Sequence, residues 1–146
     1  MKDSCEISVV SLGCAKNQVD SEIMLGILSR AGYRITDQKE QADIIVINTC
    51  GFIESAKTEA IEAILAAAAC KKNGRCRAVI AAGCLAQRYA EEIKKELPEV
   101  DAILGISGYE NILEAVEACL AGERYEYSEF TGYISYLNRP RILAGP

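Results

Sequence analysis

The sequence predicts an α/β fold: a flavodoxin-like three-layer sandwich with a five-stranded parallel sheet. Short apolar runs alternate five times with helical segments along the chain, and this alternation is typical of parallel sheets covered by helices. The run Ile-Ile-Val-Ile at 44–47 is continuously apolar, as in strands that are buried on both faces. A length of 146 residues suits one domain. Right-handed crossovers then favour the strand order 2-1-3-4-5.

Five short apolar segments are predicted as strands. They cover residues 6–12, 33–36, 43–48, 77–82 and 101–104. Each lies between residues that favour turns or helix ends, and each has a length that is common for strands in globular proteins.

Four longer segments are predicted as helices, at 20–31, 54–72, 86–97 and 109–120. Gly32 and Gly122 are expected to stop the first and the last of them. Apolar residues at helical spacing in the first two segments are Val19, Ile23, Met24, Ile27, Leu28, Ala60, Ile61, Ile64, Leu65 and Ala68.

Three of the seven cysteines follow predicted strands at equivalent positions. Cys14 follows the first strand, Cys50 the third and Cys84 the fourth, with separations of 36 (50 − 14) and 34 (84 − 50) residues. These strands are neighbours in the predicted order, about 4.8 Å apart. Ligands of such folds bind at the carboxyl ends of the strands, so we expect the three thiols to converge there.

The residue types available favour an iron–sulfur cluster at this place. The chain has no histidine, which excludes histidine general bases and every zinc site that contains histidine. A 4Fe–4S cluster normally takes four cysteines, so three would leave one iron open. Helix N-termini after the strands favour thiolates. We therefore predict that Cys14, Cys50 and Cys84 bind a 4Fe–4S cluster.

Other interpretations of the same thiols stay open at this point. A free cysteine is among the most frequently buried residues, so each of the three, taken alone, also fits a core role. Thiols at neighbouring strand ends can form a disulfide, as in a redox-sensing module. A flavodoxin-like binding or electron-transfer module is a further alternative, although Gly-Cys-Ala-Lys-Asn at 13–17 matches a phosphate loop poorly.

The remaining cysteines and three polar residues have less specific contexts. Structural roles are expected for Cys5, Cys70, Cys76 and Cys119. Loop and cap roles are expected for Asn17, Asn48 and Thr49, with hydrogen bonding to the cluster as the alternative.

Net charge and the distribution of apolar residues indicate which partners and which cellular compartment this chain has. A net charge of −5 and a pI near 4.9 argue against nucleic-acid binding by this chain. The longest apolar stretch, 60–70, is too short to span a bilayer, and the N-terminus lacks an apolar signal core. We expect a cytoplasmic monomer without a membrane partner, in a compartment that keeps thiols reduced.

Three segments carry a resemblance to a known family. Ser11–Glu22, Ile47–Ala56 and Ala82–Tyr89 resemble the N-terminal domain of the radical-SAM methylthiotransferases. The resemblance covers roughly residues 6–122, and the wording around the first two cysteines is similar to the RimO branch. That branch methylthiolates an aspartate of ribosomal protein S-twelve. The tRNA-modifying MiaB branch, which acts on adenosine, is the alternative.

The resemblance implies roles for particular residues. Cys14, Cys50 and Cys84 would hold an auxiliary 4Fe–4S cluster whose open iron carries the sulfur to be transferred. In the family, a second 4Fe–4S cluster on a C-x-x-x-C-x-x-C motif cleaves S-adenosylmethionine, and that motif does not occur in this sequence. We expect residues 1–122 to form the cluster-binding domain and residues 123–146 a linker toward a radical-SAM core. The stretch 125–136 alternates weakly between apolar and polar residues, and an edge strand there is the alternative. The parent protein would be the methylthiotransferase, and this chain alone would be inactive.

Overall fold

A computed structural model describes most of the chain. The described residues are 5–12, 15–49, 54–73, 75–83, 86, 89–105, 111–128 and 133–136. The strands in them are β1 (Glu6–Ser11), β2 (Arg34–Ile35), β3 (Ile44–Thr49), β4 (Ala78–Gly83), β5 (Val100–Leu104), β6 (Tyr125–Ser128) and β7 (Tyr133–Tyr136). The helices are α1 (Ala15–Arg30), α2 (Glu54–Asn73), α3 (Ala90–Glu96) and α4 (Ile112–Leu120), and Lys39–Gln41 forms one 3-10 turn.

The described strands form one sheet in the order β2-β1-β3-β4-β5-β6-β7. The first six strands in this order are parallel, and β7 pairs with β6 in the antiparallel direction. The predicted α/β class and the order 2-1-3-4-5 are therefore confirmed. The sheet has two strands more than the five predicted, and both come from the segment 123–146 that was expected to be a linker.

Helices cover both faces of the sheet and create two cores. In β3, Ile44 and Val46 pack in the core that includes α1 and α4, whereas Ile45 and Ile47 pack in the core that includes α2 and α3. Every side chain of β3 is buried, as the continuous apolar run predicted. The aliphatic side chains at 44–47 each contribute about 1.5–3 kcal/mol through removal from water.

Helix α1 differs from its prediction in two ways. It begins at Ala15, five residues before the predicted start at residue 20, so Asp20 and Ser21 lie inside the helix, where both are buried. Two rows of apolar residues run along the helix, and only one can face the sheet. Met24 and Leu28 belong to the row that faces the sheet, and both are fully buried, whereas Val19 belongs to the other row and is 55% exposed.

The other helices follow their predictions more closely. Helix α2 extends one residue past its predicted end, with Ile64 buried and Leu65 49% exposed. Helix α3 is shorter than the predicted 86–97, and residues 87–88 of that range lie outside the described part. Helix α4 begins at Ile112, and residues 109–110 of its prediction also lie outside the described part.

Strand β6 is an integral part of this sheet. Tyr125 is 1% exposed, and its hydroxyl donates a hydrogen bond to Glu114 at 2.7 Å. Glu126 is also buried and accepts a hydrogen bond from Lys94 at 2.8 Å. Arg124 donates to the backbone carbonyl of Val100 at 2.9 Å. These side chains attach β6 to α3, α4 and β5.

In the described part of the chain, none of the helices has both the length and the apolar character that crossing a bilayer requires.

Candidate metal centre

The strands β1, β3 and β4 end at the same level of the sheet. Ser11 of β1 is the Cα partner of Asn48 in β3, and Asn48 is in turn the partner of Ala82 in β4. One residue further, Thr49 is the partner of Gly83. The backbone N–H of Leu12 donates to the carbonyl of Asn48 at 3.0 Å. The three strand ends are thus hydrogen-bonded to one another up to the point where the predicted ligands follow.

The predicted ligands Cys14, Cys50 and Cys84 lie outside the described residues. Their neighbours in the sequence are described, and these fix the places from which each cysteine continues the chain. Cys50 directly follows Thr49, and Cys84 directly follows Gly83. Cys14 comes two residues after Leu12. The convergence of the three thiols is not described and stays a prediction.

Asn48 and Thr49 are strand residues rather than loop or cap residues. They are the last two residues of β3, and both are 0% exposed. The amide of Asn48 donates a hydrogen bond to the hydroxyl of Ser21 in α1 at 3.0 Å. Asn17 lies in α1, and its side chain is outside the described part. The sequence prediction missed the Ser21 contact because the two residues are 27 positions apart.

The Thr49 side chain makes two hydrogen bonds across the strand ends. Its hydroxyl donates to the carbonyl of Ala82 at 2.7 Å and accepts from the N–H of Ala86 at 3.2 Å. Ala82 precedes the Gly83-Cys84 pair, and Ala86 follows it by two residues. A side chain next to one predicted ligand therefore holds the backbone on both sides of another.

Gly83 has a conformation and surroundings that exclude a side chain. Its φ is +102°, a region that favours glycine. A Cβ there would lie 2.8 Å from Oδ1 of Asn48 and 2.9 Å from the backbone N of Thr49, and it would overlap the Thr49 carbonyl oxygen. The strand ends at β3 and β4 can approach this closely only because Gly83 has no Cβ. Gly13 and Gly51, the glycines next to the other two predicted ligands in the sequence, lie outside the described residues.

The other four cysteines, Cys5, Cys70, Cys76 and Cys119, are described and lie away from these strand ends. Cys5 precedes β1 and Cys76 precedes β4, at the amino edge of the sheet, and all four are free thiols. Burial raises the pKa of the Cys76 thiol to about 11, and burial raises that of Cys119 to about 12. Such thiols are protonated at neutral pH and are poor metal ligands. Among the described residues, no group of three or more cysteine, aspartate or glutamate side chains is arranged to hold a metal ion.

Comparison with known proteins defines the class of this domain. The sequence profile of the family described as "Uncharacterized protein family UPF0004" matches residues 6–105. This range includes β1 to β5 and all three predicted ligands. The chain belongs to this family.

Curated relatives extend the similarity over almost the whole chain. The ribosomal protein uS12 methylthiotransferase RimO of Symbiobacterium thermophilum is 48% identical over 141 residues, which cover 97% of this chain and 29% of the relative. The protein of the same name from Pelotomaculum thermopropionicum is also 48% identical, with 97% and 32% covered. That of Acetivibrio thermocellus is 47% identical over 146 residues, with 95% and 32% covered. The resemblance to the RimO branch is confirmed, and the chain spans about a third of the length of these relatives.

Proposed function

We propose that this domain binds an auxiliary 4Fe–4S cluster through Cys14, Cys50 and Cys84. In the proposed assignment, the domain is the sulfur-donating part of a radical-SAM methylthiotransferase that modifies an aspartate of ribosomal protein uS12. The relatives that carry the name of that enzyme support the assignment, and they favour it over the tRNA-modifying alternative.

The register of the strand ends is the observation that carries the proposal. Thr49 and Gly83 are Cα partners on adjacent strands, and a cysteine follows each of them. Neighbouring strands lie about 4.8 Å apart, so the backbone positions from which Cys50 and Cys84 continue are close together. The hydrogen bond from Leu12 to Asn48 brings the end of β1 to the same edge, two residues before Cys14.

The residues around this edge fit a sulfur-ligated cluster. Gly83 leaves no side chain beside the backbone that leads into Cys84. Asn48 and Thr49 are buried and bonded within the protein, so the strand ends form a firm support. When bound, the cluster supplies an iron with an open coordination position for the sulfur to be transferred. The role of this chain would be to hold the cluster through Cys14, Cys50 and Cys84 at the carboxyl ends of β1, β3 and β4.

The activity belongs to the parent protein in this proposal. A second 4Fe–4S cluster and S-adenosylmethionine would be bound by parts that this sequence does not contain, since it lacks the C-x-x-x-C-x-x-C motif. With a ribosomal protein as the substrate, we propose a cytoplasmic location. We propose that residues 1–122 hold the cluster-binding function, that the domain is a monomer, and that it does not turn over alone.

Anaerobic reconstitution with iron and sulfide tests the proposal. The wild-type chain should bind about four iron atoms and show the visible absorbance and, after reduction, the EPR signal of a 4Fe–4S cluster. Cys50→Ser should lose most of the iron and both signals. The control is Cys70→Ser, because Cys70 is a free, half-buried thiol in α2. Equal iron content in the two variants would contradict the proposed ligand set.

An assay with the full-length parent protein distinguishes the proposed protein substrate from the tRNA alternative. Anaerobic incubation of that protein, reconstituted with iron and sulfide, with a low-potential reductant, S-adenosylmethionine and either uS12 or tRNA, followed by mass spectrometry, should show a methylthio group on the protein and not on tRNA. The opposite result would retain the cluster and reassign the substrate.

A further inference from the structure

The buried Thr49 hydroxyl has a role beyond filling the end of β3. It is 0% exposed and makes two hydrogen bonds, both to the backbone of the neighbouring chain segment. Backbone groups at the end of a strand lose their ladder partners and need others when they are buried. The two bonds reach residues 82 and 86, on either side of Cys84, while Thr49 itself is covalently joined to Cys50.

We infer that Thr49 is a positioning residue: its hydroxyl fixes the backbone at residues 82 and 86 to the end of β3. Through this backbone it would position Cys84 and Cys50, the two proposed ligands that adjoin it in the sequence. This inference rests on the proposed cluster function. A hydroxyl suits the task because it donates one hydrogen bond and accepts another at the same atom. Metal ligands that are held by such outer contacts keep a productive orientation, and loss of the contact typically weakens metal binding by 10–100-fold.

Gly83 makes the arrangement possible. Thr49 and Gly83 are Cα partners, and their backbones lie close together. This close approach brings the Thr49 hydroxyl within hydrogen-bond distance of the backbone of residues 82 and 86. The Asn48 amide, which is bonded to Ser21, fixes the same strand end from the opposite face of the sheet. Alternate residues of a strand point to opposite faces, so Asn48 and Thr49 secure the end of β3 on both sides.

The test compares two substitutions at one position. Thr49→Val removes the hydroxyl and keeps the shape, whereas Thr49→Ser keeps the hydroxyl. After anaerobic reconstitution, iron loss to a chelator should be roughly tenfold faster for Thr49→Val than for wild type, and within about twofold of wild type for Thr49→Ser. The EPR spectrum of the valine variant should broaden, because the backbone on either side of Cys84 would no longer be fixed by Thr49. Equal loss rates in all three proteins would overturn the inference, as would equal loss in the two variants.

Two control variants separate positioning from general stability. Thr36→Val removes a threonine hydroxyl that accepts only a local hydrogen bond from Gln38, and it should retain iron as wild type does. Ile64→Val weakens the buried face of α2 without touching the strand ends, and it should lower the unfolding midpoint without changing the EPR line shape. A changed line shape in Ile64→Val would show that any loss of stability disturbs the cluster and would overturn the assignment to Thr49.

A readout without the cluster keeps the two proposals distinguishable. In the apo chain, hydrogen exchange at the Ala86 N–H should be about tenfold faster in Thr49→Val than in Thr49→Ser, since its acceptor is gone. Absence of iron from reconstituted wild type would contradict the cluster function itself. Iron in wild type with no difference at Thr49→Val would contradict only the positioning role. If Thr49→Val does not fold while Thr49→Ser folds and binds iron, Thr49→Ala is measured as a further variant without the hydroxyl. Loss of the fold there too would assign the hydroxyl to stability and overturn the inference.

Discussion

The backbone carbonyl of Thr49 occupies the space that a side chain on Gly83 would need. The two residues are Cα partners at the carboxyl ends of adjacent strands, and Gly83 has a φ of +102°. The contact between β3 and β4 that leaves no room for a Cβ therefore lies one residue before both Cys50 and Cys84.

Gly83→Ala should destabilise the domain by about 2–4 kcal/mol, because a positive φ costs about 1–2 kcal/mol and the overlap with β3 adds a similar amount. Urea unfolding measures the change. The matched control is Gly122→Ala, where φ is +82° but no atom lies within 4 Å of the added Cβ. That variant should lose only about 1–2 kcal/mol. Equal losses at the two glycines would show that the contact with Thr49 is not tight.

Tyr125→Ala should lower the free energy of unfolding by about 3–4 kcal/mol, since it empties a buried aromatic position. Tyr125→Phe should cost only about 1 kcal/mol, through loss of the hydrogen bond to Glu114. Chemical denaturation of both variants gives the comparison. If residues after 122 did not pack on the domain, Tyr125→Ala would change stability by less than about 0.5 kcal/mol.

Alkaline pH should weaken the fold through the buried Cys76 thiol. Burial raises its pKa from 9.0 to about 11, so between these values the unfolded chain releases a proton that the folded chain retains. Stability that is fully present below pH 9 is then lost as pH rises toward 11, by up to about 1.4 kcal/mol per pH unit.

Cys76→Ala should remove this contribution and flatten the decline in unfolding free energy over the same pH range. Val79→Ala, a neighbouring buried substitution without an ionisable group, should lower stability by a constant amount at every pH. Parallel pH curves for wild type and Cys76→Ala would show that the thiol ionises in the folded chain as it does in the unfolded one.

Local sequence was sufficient to predict the centre of this fold. The apolar run in β3 and the repeated alternation of strand and helix gave the class and the order of the first five strands, because burial on both faces of a parallel sheet leaves an unbroken apolar pattern. Helix ends at Gly32 and Gly122 were also predicted, and both glycines have positive φ where the helices stop.

Contacts between distant residues account for what local sequence did not predict. The buried polar residue Glu126 pairs with Lys94, which is 32 positions away in the sequence. Tyr125 is buried because β6 pairs with β5, where Tyr125 is the partner of Ala102. Val19 keeps the helical spacing of a core residue, yet it lies on the row of α1 that faces away from the sheet. At the candidate site, Thr49 was expected in a loop, and its bonds to residues 82 and 86 depend on the register between β3 and β4.

Cysteine alkylation with and without the reconstituted cluster tests the central claim most directly, because every cysteine of the wild-type chain is compared in one sample. Peptide mass spectrometry after brief anaerobic alkylation should show Cys14, Cys50 and Cys84 protected by the cluster. Cys70 should react at the same rate in both forms. Equal reaction of any of the three with and without cluster, or protection of Cys70 in place of one of them, would contradict the proposed metal centre.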